Sequence, residues 1–305
     1  MPHATAPSTN ESSFLLAALR ENVRLDSRPF DAYRPISLTF PSSSPDTYGQ
    51  SEVRIGKTRV LCVISSEVVA PYPDRKFDGV LTISCEMSPL MSAGVDTGGR
   101  PDPSETILTT LLDKSIRRSR SLDTESLCIV AGQKCFSIRA DLHILDHDGN
   151  LLDACCLALV AALAHYRRPD YEVHGEDVKI FSAQERDGVK LTLRDWPFCV
   201  SSSYFDAGTI TITDANLLEE QCREGEVVVA MTRHGEVVQV AKYGGVAVDA
   251  LGMLQVVEQS LAKVKMMDGV VKEALARDER ERDKGGVMKA ELSAENERVM
   301  ERPVG

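Results

Sequence analysis

One stretch of the chain, residues 142–166 (LHILDHDGNLLDACCLALVAALAHY), constrains the fold more than any other. An apolar strand pattern runs into an acidic turn at 146–150 and then directly into a helix that is almost free of charge. The apolar run 151–164 is shorter than the roughly 20 residues that cross a bilayer, so we expect no membrane partner. A helix that is apolar all round is buried in a protein core. The sequence therefore predicts a central buried helix with an acidic turn at its start.

The remaining patterns fall into two blocks in which strands precede a helix. Runs of β-branched residues separated by Gly, Pro and Asp predict the strands, and apolar residues at helical spacing predict helices at 14–22 and 249–265. Ser104 is a suitable N-cap for a helix over 105–119. This order predicts an α+β fold in two similar halves. We expect a disordered N-terminus at 1–12, a first half at 13–190, a second half at 191–268 and a charged helical or disordered tail at 269–305.

Composition limits the class of protein. The formal net charge of -11 argues against nonspecific binding of the whole chain to nucleic acid or anionic membranes, although it leaves room for a local basic surface. Eight cysteines occur without a CxxC pair, which indicates small buried side chains in a reducing compartment. The start of the chain lacks the charged and apolar regions of a secretory signal. We therefore expect a soluble intracellular protein.

The acidic turn does not match a standard ion-binding loop. A calcium loop that begins at Asp146 would require Gly at 151 and Glu at 157, where the chain has Leu. The stretch GKTR at 56–59 lacks the earlier glycine of a phosphate-binding P-loop, and a strand pattern follows it instead of a helix. His143 and His147 lie on a strand and a turn, a setting more typical of hydrogen-bonded histidines than of metal ligands. We predict neither a metal site nor a cofactor.

The positive candidates for function are basic residues. Three of them lie three and four positions apart on the predicted helix 105–119 and so share one of its faces. Three more lie on predicted loops before that helix. The complete set is Arg75, Lys76, Arg100, Lys114, Arg117 and Arg118. A guanidinium can bond two phosphate oxygens at once, so the set predicts contacts to a nucleic-acid backbone, with a solvated helix face as the alternative.

Several stretches together resemble the RNase PH family. RLDSRPFDAYRP at 24–35 resembles the family's Arg-x-Asp-Gly-Arg and Arg-Pro motif, with Ser27 in place of the glycine. GKTRVLC, GGRPDPSETILTTLLDKSIRRS and DLHILDHDGNLLDA follow in the family's order and spacing, and the likeness spans residues 14–265. The stretch 123–150 further resembles subunits of the eukaryotic RNA exosome core ring. The resemblance implies an RNase PH-like (ribosomal protein S5 domain 2-like) βαβα fold in both halves.

The resemblance also implies that the acidic turn has no catalytic role. Active phosphorolytic relatives follow this turn with Thr or Ser and then Arg, which hold inorganic phosphate at the start of the helix. This chain has Leu151 and Leu152 there, and leucine neither donates a hydrogen bond nor neutralises a phosphate. Active relatives carry two further carboxylates, for which Asp214 and Glu226 are the nearest candidates, although their spacing departs from the pattern. We expect Asp214 to cap a turn and Glu226 to face solvent.

The function that the resemblance implies is that of a non-catalytic exosome ring subunit, a scaffold and RNA conduit for 3′-to-5′ RNA processing and decay. The implied partners are other RNase PH-like subunits in a hexameric ring, S1- and KH-type cap subunits, associated 3′-to-5′ exoribonucleases, and single-stranded RNA bound by the basic set. The implied location is the nucleus and nucleolus, also the cytoplasm. The alternative is an active phosphate-dependent exoribonuclease in a homo-oligomeric ring. The tail after residue 265 fits a docking segment or a solvated helix.

Overall fold

A computed structural model describes residues 7–41, 48–88, 103–174, 177–182, 185–245 and 247–282 of the chain. The elements of its first half are α1 (Thr9–Arg20), β1 (Ile36–Thr39), β2 (Gln50–Ile55), β3 (Thr58–Val69), β4 (Val80–Met87), α2 (Pro103–Ser119), β5 (Cys128–Val130), β6 (Lys134–Asp146) and α3 (Leu151–His165). The strand order is β1-β2-β3-β6-β4, with β5 paired to β6. Strand β4 runs parallel to β6, and the other neighbours are antiparallel.

Short strands connect the first half to a second, antiparallel sheet. The remaining elements are β7 (Arg167–Arg168), β8 (Tyr171–His174), β9 (Asp177–Ile180), β10 (Val189–Lys190), β11 (Pro197–Phe205), β12 (Ile210–Thr213), α4 (Leu217–Cys222), β13 (Gly225–Thr232), β14 (Val237–Gly244) and α5 (Ala250–Arg282). The second sheet has the order β12-β11-β13-β14. Strands followed by a helix thus occur twice, and the predicted α+β fold in two halves is confirmed.

Helix α3 forms the centre of the molecule. It packs against β2 and β3 of the first sheet and against β11 of the second. Every residue of the helix except Leu151 and Ala164 is buried, because both of its long faces meet a sheet. The predicted central buried helix is confirmed. None of the helices in the described part of the chain is long and apolar enough to span a membrane.

Helix α1 packs against the second half, although it precedes the first half in sequence. Its buried Leu15 and Leu19 contact Phe205 and Ile212 of the second sheet. The helix begins at Thr9, ahead of the predicted start at residue 14, because a reciprocal capping box closes its first turn. In this box the Ser8 side chain accepts from the backbone N–H of N3, and the N3 glutamate accepts from the backbone N–H of Ser8.

Helix α2 begins one residue earlier than its predicted N-cap allows. Pro103 is already helical, so Ser104 lies inside the first turn and is not the N-cap residue. Proline suits the first helical position because its fixed φ matches the helix and its missing N–H would have no partner there. The predicted helix over 105–119 is otherwise present.

Helix α5 extends well past its predicted end at residue 265. It continues without a break to Arg282. Met267, Val271 and Ala274 are four and three residues apart in this part of the helix, and all three are buried. Such spacing gives a helix one apolar face. The described part of the tail, residues 266–282, is therefore a packed structure rather than a solvated helix, and we call it the α5 extension.

Polar contacts attach the α5 extension to the first half. Arg277 Nη2 donates to the backbone oxygen of Leu38 at 2.9 Å. The His165 ring binds Asp278 Oδ2 through Nε2 at 3.1 Å, and its Nδ1 accepts from the Gly49 N–H at 3.1 Å. Burial lowers the pKa of His165 to about 4, so the ring is neutral at pH 7 and its Nε2 donates to Asp278. These bonds join α5 to β1 and to the end of α3.

We predict that the α5 extension stabilises the whole molecule. Ending the chain after Lys265 exposes the surface that Met267 and Val271 cover, and burial of two such side chains contributes about 3–6 kcal/mol. Urea denaturation of this truncated chain should give a correspondingly lower free energy of unfolding. A chain ending after Arg282 is the matched control and should keep the stability of the full chain. Equal stability of all three chains would contradict this role.

Candidate functional site

Other parts of the protein form hydrogen bonds with the backbone of the acidic turn. Arg34 Nη1 donates to the backbone oxygen of Asp148 at 2.6 Å, and Nη2 donates to that of Gly149 at 3.1 Å. The Thr58 hydroxyl donates to the same Gly149 oxygen at 2.7 Å and accepts from the Asp148 N–H at 3.1 Å. The turn is therefore bound from one side by β3 and from the other by the segment that leads into β1.

Gly149 brings the turn into backbone contact with the second half. Its φ is +86°, and an added Cβ would lie 2.4 Å from the backbone oxygen of Ala215. Such an approach leaves no room for a side chain, and the left-handed φ favours glycine independently. The turn is thus a structural junction between the two halves.

Asp214 is the centre of this junction. Its side chain is completely buried and accepts from Arg34 Nη2 at 2.9 Å, from Arg28 Nη1 at 2.8 Å and from Asn150 Nδ2 at 2.7 Å. Burial by itself would raise the pKa of Asp214, but the hydrogen bonds and charge of Arg34 outweigh it and hold the pKa below its ordinary value. The expectation that Asp214 simply caps a turn is wrong, because its carboxylate joins three separate segments.

A second buried ion pair lies beside the first. Arg24 is completely buried and forms a two-bond contact with Glu219, with Nη2 to Oε2 at 2.6 Å and Nε to Oε1 at 3.1 Å. The same guanidinium donates to the backbone oxygens of Thr213 and Asp214. All three arginines of the RLDSRPFDAYRP motif thus bind the segment 213–219. Ser27 in this motif has a φ of +60°, which explains why glycine suits its position.

The start of α3 faces a carboxylate of the protein itself. The backbone N–H of Asn150 donates to Glu220 Oε1 at 2.7 Å, and the next two residues are Leu151 and Leu152. Burial raises the pKa of Glu220 to about 7, and the nearby Arg223 partly offsets the rise. A helix N-terminus attracts anions through its free N–H groups and its dipole. Here an internal carboxylate takes that place.

Glu226 is also largely buried. It forms an ion pair with Arg223 Nη2 at 2.9 Å, and only 15% of its side chain is exposed. Burial raises the pKa of Glu226, while Arg223 works against the rise. Arg223 lies between Glu226 and Glu220, whose Oε1 is 3.7 Å from Nη1. The expectation that Glu226 faces solvent is wrong, because β13 places it beside α4 rather than at an open edge.

The predicted basic set divides into residues with and without protein partners. Arg117 Nε binds Asp113 at 2.6 Å, and Nη2 donates to the backbone oxygen of Leu81 at 3.1 Å. It therefore caps the outer edge of β4. Lys114 and Arg118 are exposed, and their side chains form no ion pair or hydrogen bond within the described residues. Spacing alone does not distinguish these roles, because the difference depends on which face meets β4.

Two of the predicted cations line one groove. Arg75 and Arg117 lie together around a groove of about 770 Å³ at the start of β4 and the end of α2, which we call the β4 groove. Arg120 and Arg194 also line it and are absent from the predicted set. Lys76, Lys114 and Arg118 do not line this groove, and Arg100 lies outside the described residues. Arg194 comes from the connection between the halves, so only the folded chain brings it here.

The histidines of the turn region are engaged by hydrogen bonds or exposed. His147 Nδ1 accepts from the Gly149 N–H at 3.2 Å, and burial lowers the pKa of His147. His143 is partly exposed and lies 3.3 Å from Glu86. Within the described ranges, no group of three or more His, Cys, Asp or Glu side chains is arranged to hold a metal ion. The site offers ion pairs and hydrogen bonds rather than open ligand positions.

The two halves meet at a buried cluster of arginines and carboxylates, and each half matches a domain of one protein family. Domain 1 of the 3′ exoribonuclease family matches residues 32–169, and domain 2 of the same family matches residues 195–263. The matches follow the two halves in order and cover more than half of the chain. The chain belongs to this family, known as the RNase PH family, and the predicted resemblance is confirmed.

Individual relatives match over nearly the whole chain. The chain is similar to exosome complex component RRP45 of Saccharomyces cerevisiae, with 38% identity over 303 residues, covering 95% of this chain and 97% of the yeast protein. It is also similar to component rrp45 of Schizosaccharomyces pombe, with 38% identity over 294 residues and the same coverage of both chains. Among solved structures, the Archaeoglobus fulgidus exosome with RNA bound to the active site matches with a TM-score of 0.73 and 27% identity, covering 85% of this chain and 97% of that one.

We predict that Arg34 is essential to the stability of the junction. Arg34→Ala removes the two-bond partner of a buried carboxylate, and breaking a buried pair in this way costs about 3–5 kcal/mol. Arg54→Ala is the matched control, because Arg54 pairs with Glu52 at the surface with 53% of its side chain exposed, and such pairs contribute about 1 kcal/mol or less. Denaturant unfolding measures both. Similar small losses for the two variants would contradict a central role for the Arg34–Asp214 pair.

We predict that Glu220→Gln changes how stability depends on pH. The folded-state pKa of Glu220 is about 7 against an ordinary 4.5, so the folded state holds a proton that the unfolded state releases between these values. Glu220 therefore makes stability fall as the pH rises through this window. Glutamine keeps the acceptor for the Asn150 N–H without titrating. Across pH 5–8 the variant should gain stability relative to the parent chain, and a constant difference would contradict the shifted pKa.

Proposed function

We propose that this chain is a non-catalytic subunit of an RNA exosome core ring, and that it acts as a scaffold and RNA conduit for 3′-to-5′ RNA processing and decay. Support comes from relatives named as exosome complex components that match along almost their full length. Further support comes from the archaeal exosome structure, whose chain shares the fold. Membership of an exoribonuclease family is compatible with this role, because a shared fold does not determine the chemistry of the site.

The observation that carries the non-catalytic part of the proposal is the occupied start of α3. Glu220 accepts the Asn150 N–H there, and Leu151 and Leu152 follow in place of phosphate-binding side chains. A phosphate dianion would have to displace the Glu220 side chain from the Asn150 N–H and would find no cation on the helix. The charge that Glu220 carries above its pKa of about 7 would repel it as well. We therefore assign the turn a structural role.

The basic set supplies the proposed contacts to RNA. Lys114 and Arg118 are exposed and free for a phosphate backbone, as are Arg75 and Lys76 on the β3–β4 loop. Arg117 is partly engaged by Asp113 and by β4, so we expect it to contribute less to RNA binding than Lys114 and Arg118. Arg100 completes the set on sequence grounds alone. Cations that contact phosphates position a strand without reading its sequence.

Assembly with other chains completes the proposal. We infer that the partners are other RNase PH-like subunits in a hexameric ring, S1- and KH-type cap subunits and associated 3′-to-5′ exoribonucleases, with the complex in the nucleus and nucleolus, also in the cytoplasm. The α5 extension limits which part of the tail can dock on a partner, because residues 266–282 pack on the chain itself. A docking role would therefore belong to residues after 282.

The alternative function, an active phosphate-dependent exoribonuclease in a homo-oligomeric ring, needs a phosphate site in every copy. Glu220, Leu151 and Leu152 disfavour it. Asp214 would be a poor catalyst because Arg28, Arg34 and Asn150 already take up its oxygens.

Native mass spectrometry of the complex that the full chain forms in its own cells tests the assembly. The proposal requires a ring of several different RNase PH-like chains, with this chain in one copy. A ring built only of this chain would contradict it and favour the alternative. An isolated, well-behaved monomer by light scattering would argue against obligate assembly.

We predict that removing exposed charge from α2 weakens RNA binding by the assembled complex. Lys114→Ala with Arg118→Ala removes two phosphate contacts, which should reduce the slope of log affinity against log salt by about 1.4 for a single strand. Adding Arg100→Ala and Arg117→Ala should lower affinity further. Fluorescence anisotropy with labelled RNA at several salt concentrations measures both quantities. Unchanged affinity and slope would contradict the conduit role of the basic set.

A further inference from the structure

The β4 groove concentrates arginine in an acidic protein. Four arginines line it, namely Arg75, Arg117, Arg120 and Arg194. Three acidic side chains share the lining, namely Asp78, Asp123 and Glu125. Asp123 lies 3.9 Å from Arg194 and accepts the Glu125 N–H at 3.3 Å, so part of the acidic charge is already engaged. In a chain with a net charge of -11, a groove with more cations than anions is a local exception.

Two of these arginines are available to a ligand. Arg75 and Arg120 are exposed, and neither side chain has a hydrogen-bond or ion-pair partner within the described residues. Arg120 directly follows the last residue of α2 and has a φ of +49°. A residue other than glycine in this left-handed conformation costs about 1–2 kcal/mol. Helices commonly end with a residue in this conformation, and here that residue is an arginine that lines the groove.

The floor and rim of the β4 groove suit a base as well as a phosphate. Buried Leu81, Ile116 and Leu122 line the apolar part, and Tyr72 at the rim has 64% of its surface exposed. Aromatic rings and guanidinium groups stack on nucleobases, while the guanidinium also bonds phosphate oxygens. The volume of about 770 Å³ falls within the 300–1,000 Å³ range typical of small-ligand sites. One or two nucleotides would fit this space.

Two backbone groups at the start of β4, beside the groove, already have hydrogen-bond partners. Arg117 donates to the outward backbone oxygen of Leu81, and the Gly79 N–H donates to the backbone oxygen of Thr124 at 2.9 Å. A peptide adds to a sheet only through free edge groups of this kind. The groove therefore favours a ligand held by side chains over one held by a strand edge.

We propose that the β4 groove binds one or two nucleotides of single-stranded RNA, with a base against Tyr72 and the apolar floor and phosphates against Arg75, Arg120 and Arg194. This inference rests on the proposed function, because it gives the conduit a defined contact at the end of α2. The groove would hold RNA through stacking as well as charge. Stacking contributes affinity that does not depend on salt, unlike the contacts of Lys114 and Arg118.

The test compares groove variants with an unrelated charge pair in the assembled complex. Arg75→Ala with Arg120→Gly removes two cations, and glycine relieves rather than disturbs the backbone at 120. Affinity for a labelled 12-nucleotide oligoadenylate should fall, and the slope of log affinity against log salt should decrease by about 1.4. Tyr72→Ala should weaken binding at least about five-fold with an unchanged slope, as expected for the loss of one stacked base. Lys242→Ala with Lys265→Ala removes the same charge from the second half and should change neither quantity.

Native mass spectrometry and thermal unfolding of each complex check that assembly and stability are unchanged. Tyr72→Ala alters only an exposed loop. If the groove variants bind RNA normally while Lys114→Ala with Arg118→Ala does not, the groove proposal is overturned and the conduit role stands. If both sets bind normally, the conduit role falls as well. An equal loss from the Lys242/Lys265 control would show general charge attraction and would also overturn the groove.

Discussion

The structure depends on a buried carboxylate, Asp214, and on the arginine that pairs with it. Taking an unpaired charge out of water is costly, so the burial of Asp214 depends on its bonds to Arg34, Arg28 and Asn150. Arg34 also holds the backbone of the acidic turn. One ion pair thus fixes the N-terminal motif, the start of α3 and the first residue after β12 in a single arrangement. Breaking it would leave a buried carboxylate without its main partner at a junction between the two halves.

This arrangement gives the acidic turn a structural role that does not depend on catalysis. The turn is needed as a junction, because Gly149 touches the backbone of the second half and Asn150 binds Asp214. The favourable place for an anion at the start of α3 is taken by Glu220. A turn that joins the halves while its anion position is filled from within is consistent with the proposed structural role. In the proposed assembly, such a subunit contributes surface and shape, and other chains contribute the chemistry.

The sequence predicted those parts of the fold that local patterns determine. The apolar run of α3 predicts burial on all sides, and the two blocks in which strands precede a helix predict two halves. The sequence also contains the capping box at Ser8 and the four-and-three spacing of Met267, Val271 and Ala274. Polar residues surround both patterns, so neither was recognised as part of a helix. The pairing of Arg24 with Glu219 could not be predicted from local patterns, since it joins residues far apart in sequence. The same is true of Arg194 in the β4 groove and of Glu220 at α3, whose positions depend on how the halves pack.

The central point to test is that the start of α3 does not hold inorganic phosphate. The most direct measurement is the release of nucleoside diphosphates from the 3′ end of a labelled RNA by the purified full chain, with and without phosphate at pH 7. We expect no release above background at any phosphate concentration. Release that rises and saturates with phosphate would contradict it, and would mean that phosphate displaces Glu220 and binds without the help of a cation on α3.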